Sequence, residues 1–253
     1  MYEITFTAWI LVIAVTLFAS FVKGVTGFAM PLIMMSIMGA FLPYETVLAM
    51  LIVPTVTTNI SQSLRQGHAA MWETMKDYKI ALIVFSIAVV VSAQFVSVIP
   101  KPYLWGILGL AITIFCATQL MGLPLKIEAH NRTVPEIILG LIAGFFGGIS
   151  GIWGPPIVAM TLSLHLEKKE AGRVQGVVFL VGSVFLILAH LKSGILNMAT
   201  FQMSALITIP AFIGMMIGFR VQDRLSPVKF RKVTMVILLI AGLNLLRRAV
   251  LLF

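Results

Sequence analysis

From Ile80 to Ile99 the chain runs for twenty residues without a formal charge, long enough as a helix to cross a hydrocarbon layer of about 30 Å. Runs of this kind recur from end to end. Hydropathy together with Gly and Pro breaks divides the chain into about ten apolar segments, at 4–22, 25–42, 45–64, 79–99, 102–121, 135–147, 150–166, 170–191, 199–219 and 228–250. A mean hydropathy of +1.06 and a charged fraction of only 11% leave no soluble domain of ordinary composition. Lipid offers no water to backbone amides, so such segments must be helical. The expected fold class is all-α: a polytopic membrane protein with eight to ten spans.

The first run starts at Ile4 behind Glu3, with no Lys or Arg before it, and reads as a retained helix, not a cleaved signal peptide. If all ten segments cross, one side collects Lys23, Arg65, Lys76, Lys79, Lys126, Arg132, Lys168, Lys169, Arg173, Arg220, Arg224, Lys229, Arg231 and Lys232. The other side keeps Lys101, Lys192, Arg247 and Arg248. The positive-inside rule puts the richer side in the cytoplasm, which predicts a multi-pass protein of the cell inner membrane with both termini on the non-cytoplasmic side. The net charge of +9 is spread over short loops, so it speaks for membrane topology and against a nucleic-acid partner. Cys116 is the single cysteine, which excludes an intramolecular disulfide, a CxxC pair or a thiolate metal site; no metal or cofactor is expected.

Compared with itself at an offset of 124, the chain aligns Ala19 with Ala143, Phe21 with Phe145, Gly24 with Gly148, Gly27 with Gly151 and Pro31 with Pro155, five identities in thirteen positions. The division that follows is a first membrane repeat at 1–122, a loop at 123–134 and a second repeat at 135–253. Five segments per repeat is an odd number, so the second copy starts on the opposite side and the repeats are inverted, an arrangement found in secondary transporters.

The repeated core reads GVTGFAMP at Gly24 to Pro31 and GGISGIWGPP at Gly147 to Pro156. Glycine admits left-handed backbone and proline removes an amide donor, so both stretches predict interrupted helices. Broken backbone at membrane depth is tolerated where it lines a cavity or is buried in protein. A helix starting just after the break turns its positive dipole end toward that cavity, which suits an anion. On this reading Gly24, Thr26, Gly27, Gly148, Ser150 and Gly151 supply backbone and hydroxyl donors, while Trp153 and Phe28 gate or pack the site. The competing reading is that the glycines only allow close helix packing.

Segment three is dense in polar side chains, with Asn59, Gln62 and Ser63 on one helical face. At the matching place in the second half stand Arg173, Gln175 and Ser183. Asn59, Gln62, Arg173 and Gln175 complete the expected substrate shell, against the simpler expectations of interhelical hydrogen bonding and, for Arg173, of snorkelling to the surface. His165 and His190 are candidates for proton coupling, the competing expectation being an interfacial side chain. No Asp or Glu lies well inside a segment, which favours an anion over a cation as cargo.

The motif at Gly24 to Pro31, its repeat at Gly147 to Pro156 and the stretch RQGHAAMW at Arg65 to Trp72 together resemble the sulfite exporter TauE/SafE family of membrane permeases over nearly the whole chain. The resemblance implies a cargo such as sulfite, sulfoacetate or an organosulfonate. The residues alone imply an anion-friendly cavity. A secondary transporter is therefore the expected function, with a small anionic substrate and the lipid bilayer as partners; proton or sodium coupling and a homodimer are left open. The alternatives are a carrier of another small organic anion, a channel, or a non-transport membrane assembly factor. An enzyme is not expected, because the chain has no paired carboxylates, no HExxH and no closely spaced His set.

Overall fold

With no water to satisfy them, the backbone groups of these apolar runs close on themselves, and the computed structural model is helical throughout the residues it describes, 4–123, 131–222 and 227–252. In chain order these hold α1 (Phe6–Thr26), α2 (Met30–Met38), α3 (Tyr44–Ser63), α4 (His68–Asp77), α5 (Lys79–Ala93), α6 (Lys101–Leu120), α7 (Thr133–Ser150), α8 (Gly154–Ser163), α9 (Lys168–Lys192), α10 (Met198–Leu206), α11 (Thr208–Gln222) and α12 (Pro227–Leu251). Among the described residues, six stretches are long and apolar enough to cross a membrane: Phe6–Thr26, Tyr44–Gln66, Lys101–Leu120, Thr133–Ser150, Lys169–Lys192 and Met198–Gln222. Helix α5 is apolar but shorter, at 15 residues.

Two of the ten expected segments are not full crossings. Segments 25–42 and 150–166 contain α2 and α8, of 9 and 10 residues, which at about 1.5 Å per residue reach only half of a hydrocarbon layer. Segment 199–219 is itself split at Ile207 into α10 and α11. Most of the loop expected at 123–134 lies outside the described residues, Lys126, Glu128 and His130 included, as do Glu3, Asp223 and Arg224.

Four helix pairs dominate the packing: α1 with α11, α5 with α7, α6 with α12, and α3 with α9. Small residues make the first three possible. A Cβ on Gly24 would collide with the Met215 carbonyl of α11, one on Gly148 with the Val89 carbonyl of α5, and one on Gly109 would lie 2.9 Å from the Gly242 carbonyl of α12. The close-packing reading of Gly24 and Gly148 is thus the one their surroundings support; neither offers a free face to a ligand. Pro54 interrupts α3, and Ser204 of α10 repairs the break. Its hydroxyl donates to the Met50 carbonyl at 2.7 Å, which proline leaves unpaired, and accepts from the Val53 amide at 3.0 Å.

Polar contacts gather at the two ends of the bundle. At one end Gln66 donates to the Lys169 carbonyl at 2.8 Å, Tyr78 to Glu170 at 3.2 Å and Arg132 to the Asp77 carbonyl. Burial, with Glu170 next, pushes the Tyr78 phenol up to about 12. At the other end Lys101 pairs with Glu45 at 3.3 Å. Glu136, in the first turn of α7, is buried, its carboxylate held by Arg132 and by the Ala81 amide.

Candidate functional site

Each helix break is built the same way. Helix α1 ends on Gly27 at φ 88° and α7 on Gly151 at φ 70°, left-handed backbone that a side chain disfavours. Their amides close the last turns, Gly27 onto the Lys23 carbonyl at 2.7 Å and Gly151 onto the Gly147 carbonyl at 2.6 Å. Thr26 Oγ1 donates to the Val22 carbonyl at 2.9 Å and accepts from the Phe28 amide at 3.3 Å; Ser150 Oγ donates to the Phe146 carbonyl at 2.7 Å and accepts from the Ile152 amide at 3.2 Å. The single hydroxyl proton of Thr26 and of Ser150 is therefore spent on a backbone carbonyl. The expectation that Gly27, Gly151, Thr26 and Ser150 offer donors to a ligand gives way to a different role: they shape the break, and their donors are already used.

Beyond the breaks, α2 and α8 restart with Pro31 and with Pro155 and Pro156 in their first turns, positions where a missing amide costs nothing. The two breaks, 124 residues apart in the chain, meet. A small cavity of about 10 Å³ lies between them, lined by residues of both, Phe28, Ala29, Pro31 and Leu32 on one side and Gly151 to Pro155 on the other, with Lys23, Thr55, Asn59 and Phe179. The start of α8 leans on the first break directly, since a Cβ on Gly154 would lie 2.6 Å from the Phe28 ring.

Lys23 is the residue that changes the chemistry. The basic-residue count places it with the cytoplasmic loop cations; instead it sits inside α1, 2% exposed. Its Nζ donates to Thr58 Oγ1 at 2.7 Å and to Asn59 Oδ1. Asn59 Nδ2 in turn donates to the Phe179 carbonyl of α9 at 2.8 Å, so Asn59 both holds the cation and ties α3 to α9. No ion pair to Lys23 occurs among the described residues. A buried cation without a counter-charge carries an unfavourable desolvation term of several kcal/mol, roughly, which a bound anion would offset. The helix starts of α2 and α8 face the same cavity and add partial positive charge.

Of the other expected site residues, Trp153 lines the cavity with its ring packed against Gly147 and against Phe85 and Phe179 at centroid distances of 5.8 and 6.1 Å. Gln62 and Gln175 are buried beside Gly27, where a Cβ would lie 3.4 Å from Gln62 Nε2 and 3.2 Å from Gln175 Oε1. They form a second polar group next to the cavity and do not line it. Gln175 donates to Thr161 Oγ1 at 3.4 Å, while Gln62 Oε1 has no partner among the described residues. Arg173 is half-buried on α9, does not line the cavity, and leaves its Nε unpartnered. His190 is buried, contrary to an interfacial placement, with Nε2 3.1 Å from the Gly148 carbonyl and Nδ1 3.2 Å from Ser193 Oγ; it braces α7 on α9. His165 is exposed, at φ 53° in the turn after α8.

The sequence profile of the sulfite exporter TauE/SafE family matches residues 12–245. The chain belongs to this family. No curated protein and no solved structure matches it. As a TauE/SafE protein the chain is a membrane protein of a transporter family, and both helix breaks, Lys23 and the cavity lie inside the matched residues. Lys23 escaped sequence reasoning because a lone cation just before Gly24 looks like a loop residue. The available signal was that the glycine forcing the turn is Gly27, four residues later, which leaves Lys23 one helical turn inside α1.

Proposed function

We propose that this TauE/SafE protein is a secondary transporter that moves a small sulfur-containing anion, such as sulfite, sulfoacetate or an organosulfonate, across the inner membrane. The observation that carries this reading is Lys23: a buried amine, held among the described residues by neutral groups, beside a cavity onto which two helix starts open. Asn59 orients the ammonium, and α2 and α8 add their dipoles. Trp153 and Phe28 close the apolar walls around the cargo.

The proposal includes two inverted repeats, with α1, α2 and α3 corresponding to α7, α8 and α9. Support comes from the matching caps at Gly27 and Gly151 and from the reciprocal packing of α1 on α11 and α7 on α5. It also includes termini on the non-cytoplasmic side. Arg65, Arg132 and Lys169 belong to the end where the polar contacts join α3, α4, α7 and α9, and that end is the cation-rich one.

The test is uptake of labelled sulfite and organosulfonates into proteoliposomes. Saturable uptake with counterflow is expected; Lys23→Met and Asn59→Ala should each abolish or strongly reduce it while folded yield is retained, and Gly151→Leu, which forces a side chain onto left-handed backbone against Leu51, should abolish it together with folded yield. Flux that neither saturates nor shows counterflow would mean a channel. Normal transport by all three variants would remove the cavity from the pathway.

A further inference from the structure

When the cavity holds no anion, Lys23 has nothing to balance its charge. Its Nζ has two acceptors, Thr58 Oγ1 at 2.7 Å and Asn59 Oδ1, and no third hydrogen bond to it occurs among the described residues. An ammonium carries three N–H donors, whereas a neutral amine carries two and a lone pair. Two acceptors therefore satisfy both N–H donors of the neutral amine and leave the ammonium one donor short of a partner. The acceptors are themselves fixed. Thr58 Oγ1 lies against the carbonyls of Pro54 and Thr55 at 2.7 and 3.1 Å, and Asn59 Nδ2 against that of Phe179, so neither can turn into a carboxylate-like partner.

Among the described residues nothing around Lys23 substitutes for a counter-ion. The groups facing it from α2, α3, α8 and α9, among them Leu32, Thr55, Pro155 and Phe179, are not titratable. On α9, Arg173 is half-buried and does not line the cavity, and His190 is occupied by the Gly148 carbonyl and Ser193. Helix α11 presents backbone at Met215 and Gly218 to the end of α1, and its Arg220 is exposed. On α12, Arg248 donates to the Leu42 carbonyl. A charge buried under such conditions is retained only while it is paired; otherwise the group sheds it.

Building on the transport reading above, we propose that Lys23 couples the anion to a proton: it holds the cargo as an ammonium and, once the cargo has left, releases one proton on the same side. In that step one N–H bond breaks, its electron pair stays on Nζ, and water in the open cavity takes the proton. The neutral amine keeps its bonds to Thr58 and Asn59 while the empty protein resets. The next anion enters together with a proton taken up by Nζ from water. Each cycle then moves an anion and a proton together, so that transport of a monovalent anion is electrically silent and is driven by a pH difference.

The test uses the full chain in proteoliposomes with methanesulfonate and sulfoacetate, both fully ionised near neutral pH and so without a proton of their own to carry. Labelled anion is followed beside an internal pH dye. One proton should enter with each methanesulfonate, and an imposed pH gradient, acid on the side of the anion, should concentrate it inside. Anion movement with no accompanying proton overturns the coupling and leaves the transport reading intact. No movement of either anion, nor of sulfite, overturns both. In Lys23→Arg, whose guanidinium does not deprotonate, accumulation driven by the pH gradient should be lost; accumulation equal to that of the unaltered protein overturns the assignment to Lys23. A merely structural role for Lys23 predicts the same number of protons per anion in Lys23→Arg as in the unaltered protein, so the stoichiometry of the variant separates the two.

Discussion

The two helix breaks share a backbone and differ in what they present. Both end on a left-handed glycine, both use a hydroxyl to close the last turn, and both pack against a neighbouring helix through a glycine, Gly24 on α11 and Gly148 on α5. At the offset of 124, however, Lys23 faces Gly147, Ala29 faces Trp153, and on the next helix Thr55, Thr58 and Asn59 face Phe179, Gly182 and Ser183. One break is thus polar and cationic, the other apolar, with the Trp153 indole packed against Gly147. Matching backbone sets where the cavity forms, and the unmatched side chains set its lining; on the proposed reading, a polar wall opposite a hydrophobic one would hold an anion in a single orientation.

The comparison breaks most sharply at Lys23. Replacing it with Met should lower anion affinity by about 100-fold or more, the scale of losing one partner of a desolvated charge pair, as read by ligand-induced thermal shift in detergent. Gly147→Lys in the other break should not restore it, because Trp153 fills that space and no counterpart of Asn59 stands on α9; restoration would show that the two walls are interchangeable.

Next come the packing glycines. Gly24→Ala and Gly148→Ala each drive a methyl group into a backbone carbonyl across a helix pair, and a loss of about 1–3 kcal/mol is expected for each. The prediction is near equality of the two, measured as apparent Tm. A drop confined to one half would contradict equivalent roles.

Asn59→Ala removes one acceptor of Lys23 and the bond to the Phe179 carbonyl. Affinity should fall by roughly 10-fold, in line with one charge-assisted hydrogen bond, whereas Ser183→Ala on α9 should leave binding unaltered.

The smallest effects belong to the hydroxyls that close the breaks. Thr26→Val and Ser150→Ala should cost about 1 kcal/mol of stability each, the usual net value of such a bond, without a change in anion affinity. A large loss of affinity in either would return these hydroxyls to the ligand shell.

Several features were legible in the sequence because they depend on local pattern. Apolar runs of about twenty residues without charge dictate helices in lipid, and Gly-x-x-Gly followed by Pro dictates a break, so α1, α3, α6, α7 and α9 and both interruptions could be placed within a few residues. Asn59, Gly151 and Trp153 line the cavity. The half-length of α2 and α8 was less legible, since an apolar run does not reveal where its helix starts and stops. Gln62, Gln175 and Arg173 share the composition of a binding shell, yet a helical face points in one direction only, and theirs passes beside the cavity.

The sequence by itself determined that this chain is a helical membrane protein and where two of its helices are interrupted, because hydrophobicity and glycine and proline chemistry act on neighbours along the chain. Only the tertiary structure decided that the two interruptions meet, that Thr26 and Ser150 have spent their protons, and that Lys23 is buried inside α1 and not a loop residue. Those outcomes depend on groups tens to more than a hundred residues apart: Thr58 and Asn59 from α3 converging on Nζ, and Gly151 to Pro155 closing the far wall. No local pattern encodes the partners of a side chain; they are set by which helices can approach closely enough to bury it.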